Sequence, residues 1–192
     1  MGYISVRIFI SGGCKNGKSY YAQRIAKAQC AESGLYYIAT MAPVDTEDDE
    51  RITRHRRERC GFGFATVEQP VDIENILLGC NRNGSFLLDS VTALLFNEML
   101  RKNGNPHENP AAKTLVGLMQ VINEISNIVV VSDYIYSDAL IYEPFTENYR
   151  KNLSEIDRAA AKSCNVVLEA VYSNLTVHKG REVFGHLYEK VL

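Results

Sequence analysis

Two periodicities of apolar residues run through this 192-residue chain, and the switches between them outline its elements. Val6, Ile8 and Ile10, with Phe9 between them, make a short β-rich run; Tyr21, Ala22, Ile25 and Ala26 then recur at helical spacing. The spacing predicts a first helix over about 18–32, stopped by Gly34. Residues 35–40 read as a second strand and 64–67 as a short third. Val71, Ile73, Ile76, Leu77 and Leu78 predict a helix over 71–80. Residues 85–89 form a buried strand that ends in a carboxylate, 91–102 a helix, and 103–110 the clearest loop. Residues 111–126 are helical, 128–132 a fully buried strand, 133–144 loop-like and 145–163 a long helix, while 166–172 and 175–178 suggest a closing hairpin. Strands alternating with helices predict an α/β fold. Its sheet is mostly parallel and flanked by helices, with an antiparallel edge at the C-terminus and ligands at the carboxyl ends of the strands. No break invites a cut, so residues 1–192 are expected to form a single domain.

One stretch departs from both periods. Asp45-Thr46-Glu47-Asp48-Asp49-Glu50 is followed by Arg51-Ile52-Thr53-Arg54-His55-Arg56-Arg57-Glu58-Arg59. Acids lead and bases trail, the order a helix dipole favours. Thr46 and Asp49 resemble a capping box, and Glu47–Arg51 and Glu50–Arg54 are i,i+4 pairs. With few apolar anchors, 45–60 is expected to be a charged helical excursion standing partly clear of the core.

Composition narrows the classes. Apolar residues make up 46% and charged residues 23%, as in a soluble globular domain, and the net charge of −2 weighs against nucleic acid or an anionic membrane as partner. No apolar run approaches the ~20 residues that span a bilayer, and the N-terminus lacks a signal-peptide pattern. Five scattered cysteines without a C-x-x-C pair read as reduced cytoplasmic thiols, most of them core filler.

Between the first strand and helix lies Gly12-x-x-x-x-Gly17-Lys18-Ser19, the phosphate-loop pattern in its required strand–helix context. Glycines let the backbone wrap an anion, N–H groups point inward, and the helix N-terminus adds partial positive charge. Gly12, Gly13, Cys14, Lys15, Asn16, Gly17, Lys18 and Ser19 are therefore expected to bind a nucleoside triphosphate, with Lys18 on its β- and γ-phosphates and Ser19 on Mg²⁺. Asp89, at the end of an apolar strand, suits the second Mg²⁺ position; capping the next helix is its other role, which Ser90 or Thr92 could also fill. His55 sits among Arg51, Arg54, Arg56, Arg57 and Arg59. Either this is a solvated helix face, or the cations keep a neutral imidazole ready to attack a phosphate; spacing alone leaves both open.

Gly12-Gly13-Cys14-Lys15-Asn16-Gly17-Lys18-Ser19, Tyr37-Ile38-Ala39-Thr40 and Asp49-Glu50-Arg51-Ile52-x-x-His55-Arg56 stand in an order that resembles the cobinamide kinase and cobinamide-phosphate guanylyltransferase family, the CobU type. Thr66-Val67-Glu68-Gln69-Pro70, Leu87-Leu88-Asp89-Ser90-Val91-Thr92 and Asn97 continue it, as do Tyr149-Arg150 and Ala160-Ala161, over about 5–179. The pattern diverges in the C-terminal half at 133–136, 154–157 and Ser173. The resemblance implies a RecA-like sheet and a bifunctional enzyme of cobalamin biosynthesis. Such an enzyme phosphorylates adenosylcobinamide with ATP or GTP, then moves GMP from GTP onto the adenosylcobinamide phosphate through a guanylyl-histidine. It further implies that His55 and Lys18 are catalytic, that Arg51, Arg54, Arg56, Glu68 and Asp89 join the nucleotide site, and that the chain forms a trimer. A small-molecule kinase without the second activity, and an inactive nucleotide sensor or scaffold, are the rival readings.

Overall fold

Seven strands build one sheet in the computed structural model of the chain, which describes residues 5–30, 33–43, 59–101 and 109–188 together with Thr53 and Arg57. The elements run β1 (Arg7–Gly12), α1 (Lys18–Gln29), β2 (Leu35–Ala39), β3 (Ala65–Glu68), a 3-10 turn (Ile73–Asn75) leading into α2 (Ile76–Gly79), and β4 (Ser85–Asp89). They continue as α3 (Val91–Leu100), α4 (Pro110–Glu124), β5 (Asn127–Asp133), α5 (Pro144–Ser163), β6 (Val166–Val171), β7 (Asn174–Lys179) and α6 (Arg181–Tyr188). The strand order is β3-β2-β4-β5-β1-β6-β7. All neighbours are parallel except β6 and β7, which pair antiparallel across a tight turn. The carboxyl ends of β1 to β6 therefore open on one edge, as the alternation of elements predicts.

Apolar runs in the central strands serve both faces, because successive side chains point to opposite sides. Phe9, Phe86, Leu88 and Val130 face Leu94 of α3, Leu118 of α4, and Leu153 and Ile156 of α5. Ile8, Ile10, Leu87, Val129 and Val131 face Ala22 and Ile25 of α1 and Phe184 of α6. Each fully buried aliphatic side chain here contributes roughly 1.5–3 kcal/mol, so the two apolar layers clamp the strands whose ends carry the polar groups. Helix starts are capped as their sequences suggest. Ser90 Oγ accepts from the Ala93 N–H, and Asn109 Oδ1 accepts from Ala111 and Ala112 ahead of Pro110.

Several boundaries differ from the sequence expectation. The first helix ends at Gln29, where Cys30 is already extended. The helix expected over 71–80 is instead a 3-10 turn and one α-turn, entered through Asp72 at φ 50°. The third helix stops at Leu100, because Arg101 is extended. Strand β5 runs through Asp133, which is not a loop residue. The cysteines are not mainly core filler: Cys14 and Cys60 are exposed, Cys30 and Cys80 partly buried, and Cys164 alone of the five is buried. The charged excursion over 45–60 lies outside the described residues except at Thr53, Arg57, Arg59 and Cys60. Among the described residues no helix is long and apolar enough to cross a membrane.

Candidate active site

Strand register sets out the polar groups along the open edge. Gly12 aligns with Asp133 of β5 on one side and Ala170 of β6 on the other, and Ala39 aligns with both Asp89 and Glu68. The loop from Gly12 to Ser19 thus rises between β5 and β6. Glycine is required at both its ends. A Cβ on Gly12 would come within 2.5 Å of the Ala170 carbonyl oxygen, and Gly17, the N-cap of α1, sits at φ 84°. Gly17 offers no capping side chain and the first turn of α1 carries no acid. Neither a capping side chain nor an acid thus satisfies the N–H groups at the start of this helix, the arrangement that suits an anion.

Two polar centres flank the loop. Lys18 is 6% exposed, and its ammonium donates to the Gly13 carbonyl at 2.6 Å and pairs with Asp133 Oδ1 at 2.6 Å. Ser19 Oγ donates to Asp89 Oδ2 at 3.1 Å, and that same oxygen accepts from the Tyr37 hydroxyl at 2.8 Å. Burial and the adjacent Asp89 charge push the Tyr37 phenol far up, so it keeps its proton and acts as the donor. The Arg59 guanidinium lies 3.6 Å from the centre of the Tyr37 ring and is itself buried. The end of the charged segment is thereby tied to the acid facing Ser19. Because Ser90 caps α3, Asp89 is left free of the capping role.

Behind Asp133 lies a buried carboxyl that sequence reading did not single out. Asp157 of α5 accepts from the Ser132 and Tyr136 hydroxyls, each at 3.0 Å, while its Oδ1 has no hydrogen-bond partner among the described residues. Burial pushes its pKa up to about 7 from the ordinary 3.8, against the lowering by those two hydroxyls. The folded state thus holds a proton that the unfolded state loses from about pH 4 upward. The group's stabilising contribution is complete below that pH and is lost as pH rises toward about 7. In urea unfolding, Asp157→Asn is expected to gain stability relative to wild type between about pH 4.5 and pH 8, on the order of a few kcal/mol. A constant difference across that range would show that Asp157 is already ionised in the fold.

The residues expected from the sequence divide into three groups. Gly12 to Ser19 and Asp89 converge at the loop. Glu68 does not: it ends β3, exposed and four strands from β1. Arg51, Arg54, His55 and Arg56 lie outside the described residues. Tyr37 and Asp133 join the site without having been assigned a role from sequence. Asp133 carried a legible signal, since it closes an apolar strand as Asp89 does.

Comparison with known proteins adds four findings. The family model described as cobinamide kinase / cobinamide phosphate guanyltransferase, CobU, matches residues 8–175. The bifunctional adenosylcobalamin biosynthesis protein CobP of Pseudomonas aeruginosa is 39% identical over 98 residues, which are 50% of this chain and 54% of that protein. The bifunctional adenosylcobalamin biosynthesis protein CobU of Escherichia coli K12 is 29% identical over 124 residues, 64% of this chain and 65% of that protein. The matched stretches therefore span between about half and two-thirds of these relatives. Among solved structures, a prototypical ATPase from the type III secretion system of pathogenic bacteria aligns with a TM-score of 0.54, over 97% of this chain and 61% of that one. At 12% identity that likeness bears on the fold alone, where it agrees with the mostly parallel sheet flanked by helices.

Proposed function

We propose, from the premise that the chain belongs to the cobinamide kinase / cobinamide phosphate guanyltransferase family, that it catalyses two successive transfers of cobalamin biosynthesis at one phosphate loop. The first moves the γ-phosphoryl group of ATP or GTP to the hydroxyl of adenosylcobinamide. The second moves GMP from GTP to the resulting phosphate. The observation that carries this reading is the convergence at the loop: Lys18 on one side, and Ser19 with Asp89 at 3.1 Å on the other.

In the first step the N–H groups of the loop and the N-terminus of α1 bind the β- and γ-phosphates, and Lys18 offsets the charge that develops on them. Ser19 and Asp89 offer one hydroxyl and one carboxylate oxygen side by side, a donor set that suits Mg²⁺, which binds through one or two carboxylates plus phosphates and water. That ion, when bound, supplies further charge neutralisation. Tyr37 holds the Asp89 carboxylate in orientation, and Arg59 holds Tyr37. In the second step a His55 ring nitrogen attacks the α-phosphorus of GTP and pyrophosphate leaves with the electron pair of the broken P–O bond. The cobinamide phosphate oxygen then attacks that phosphorus and releases the imidazole. Arg51, Arg54 and Arg56 stabilise the charge in this step, and Glu68 belongs to the nucleotide contacts only in this second arrangement. A trimer acting in the cytoplasm completes the reading.

The test supplies γ-labelled GTP, Mg²⁺ and adenosylcobinamide to the purified chain, followed by α-labelled GTP. Label is expected in the corrinoid from both. A corrinoid unlabelled by GTP or ATP would sink the assignment.

A further inference from the structure

The two strand-end acids are divided between the two reactive side chains of the loop. Asp89 is bound by the Ser19 and Tyr37 hydroxyls, whereas Asp133 Oδ1 is held by the Lys18 ammonium at 2.6 Å. Asp133 stands on β5, the strand beside β1, aligned with Gly12 at the root of the loop. Its backbone N–H donates to Thr92 Oγ1 at 2.9 Å, which fixes the strand end, while its carboxyl is 24% exposed and reaches the open edge. Neither of the other acids considered combines these properties. Asp157 is buried beneath the site, and Glu68 is four strands from β1.

We propose that Asp133 is the general base of phosphoryl transfer, masked by Lys18 until nucleotide arrives. This inference rests on the kinase reading above. A lysine in this loop reaches the β- and γ-phosphates, so a carboxylate in contact with its ammonium lies beside the γ-phosphoryl group. Once the phosphates draw Lys18 away, the carboxylate faces an anion and loses its partner. An acceptor hydroxyl placed between them relieves both, because its hydrogen points to Asp133 while its oxygen faces phosphorus. Lys18 also donates to the Gly13 carbonyl at 2.6 Å, a contact within the loop itself that leaves it at hand when the ion pair opens. In the step itself the acceptor oxygen forms its bond to the γ-phosphorus, and the bond from that phosphorus to the β–γ bridging oxygen breaks. The electron pair leaves with the nucleoside diphosphate. The hydroxyl proton passes to Asp133, which returns it to water after product leaves.

Base and latch make joint demands on a substitution. Asp133→Asn removes the proton acceptor and also frees Lys18, so catalysis and nucleotide binding should move in opposite directions. With the full chain, adenosylcobinamide and GTP, kcat for phosphorylation is expected to fall about 10²- to 10⁴-fold. Affinity for a fluorescent GTP analogue should equal or exceed that of wild type. Asp133→Glu, which keeps a carboxylate, should recover part of the rate. An Asp133→Asn protein as fast as wild type overturns the base while leaving the kinase reading in place. A variant that loses nucleotide affinity along with rate, with no rescue by Asp133→Glu, also overturns it, since that pattern is structural. A wild-type chain that transfers no phosphoryl group to adenosylcobinamide overturns the kinase reading and the base with it.

Discussion

Lys18→Ala is expected to lower kcat/KM for phosphorylation by about 10²- to 10³-fold or more, the scale seen when one preorganised electrostatic donor is removed. Nucleotide binding should weaken with it. The side chain is buried between the Gly13 carbonyl and Asp133, so it is held at the loop before any phosphate arrives and has only to exchange the Asp133 carboxylate for phosphate oxygens when one does. Alanine leaves the loop glycines and the start of α1 in place, and those backbone groups still offer N–H donors, so some binding should persist. The fold should survive, because the Asp133 carboxyl freed by the change reaches solvent and can be hydrated. Circular dichroism with a nucleotide titration and the labelled phosphate assay separates these effects. Activity within tenfold of wild type in a folded Lys18→Ala chain would remove the loop from the chemistry.

The second large effect concerns His55. His55→Ala is expected to abolish transfer of GMP, by about a thousand-fold or more as for a lost nucleophile, while phosphorylation of adenosylcobinamide changes only a few-fold. The asymmetry follows from the two proposed steps: the first would use Lys18, Ser19 and Asp89, and the second alone would need a nitrogen that bonds to phosphorus. Arg51, Arg54, Arg56, Arg57 and Arg59 surround His55 in sequence, which is why either a nucleophilic or a phosphate-binding role is open to it. Both activities measured on one preparation decide between readings. Loss of both together would make His55 a phosphate-binding group, and loss of neither would leave the arginine stretch as a solvated face.

Much of this architecture is legible in the sequence, for local reasons. The apolar run closed by an acid at Ser85–Asp89 has one reading, and so does the loop between β1 and α1, because its glycines and Lys18 act within a few residues of one another. The closing hairpin was anticipated because its two apolar strands flank a short polar turn, where Tyr172 and Ser173 take positive φ. Misreadings arose where another element decides the outcome. The apolar period over 71–80 is real, since Ile73, Ile76 and Leu77 are buried, yet the left-handed turn at Asp72 and the packing against α4 allow only a broken helix. Asp133 closes β5 as Asp89 closes β4, but only its pairing with Gly12 of β1 shows that it belongs to the strand and not to the loop expected over 133–144. Tyr37 lies in a strand that the sequence marks, but only the neighbouring strand supplies Asp89 as partner for its hydroxyl. The helix at Arg181–Tyr188, where the family pattern ends, packs through Phe184, a contact with α1 and β6 that no local pattern announces.

The double use of one phosphate loop is the central claim, and a covalent intermediate tests it most directly. Wild-type chain would be incubated with GTP and Mg²⁺, without corrinoid, and examined by intact-mass and peptide mass spectrometry under neutral conditions. One added GMP per chain is predicted, located on the peptide containing His55, released by acid, and absent from His55→Ala. A chain that hydrolyses or binds GTP yet remains unmodified would contradict the account.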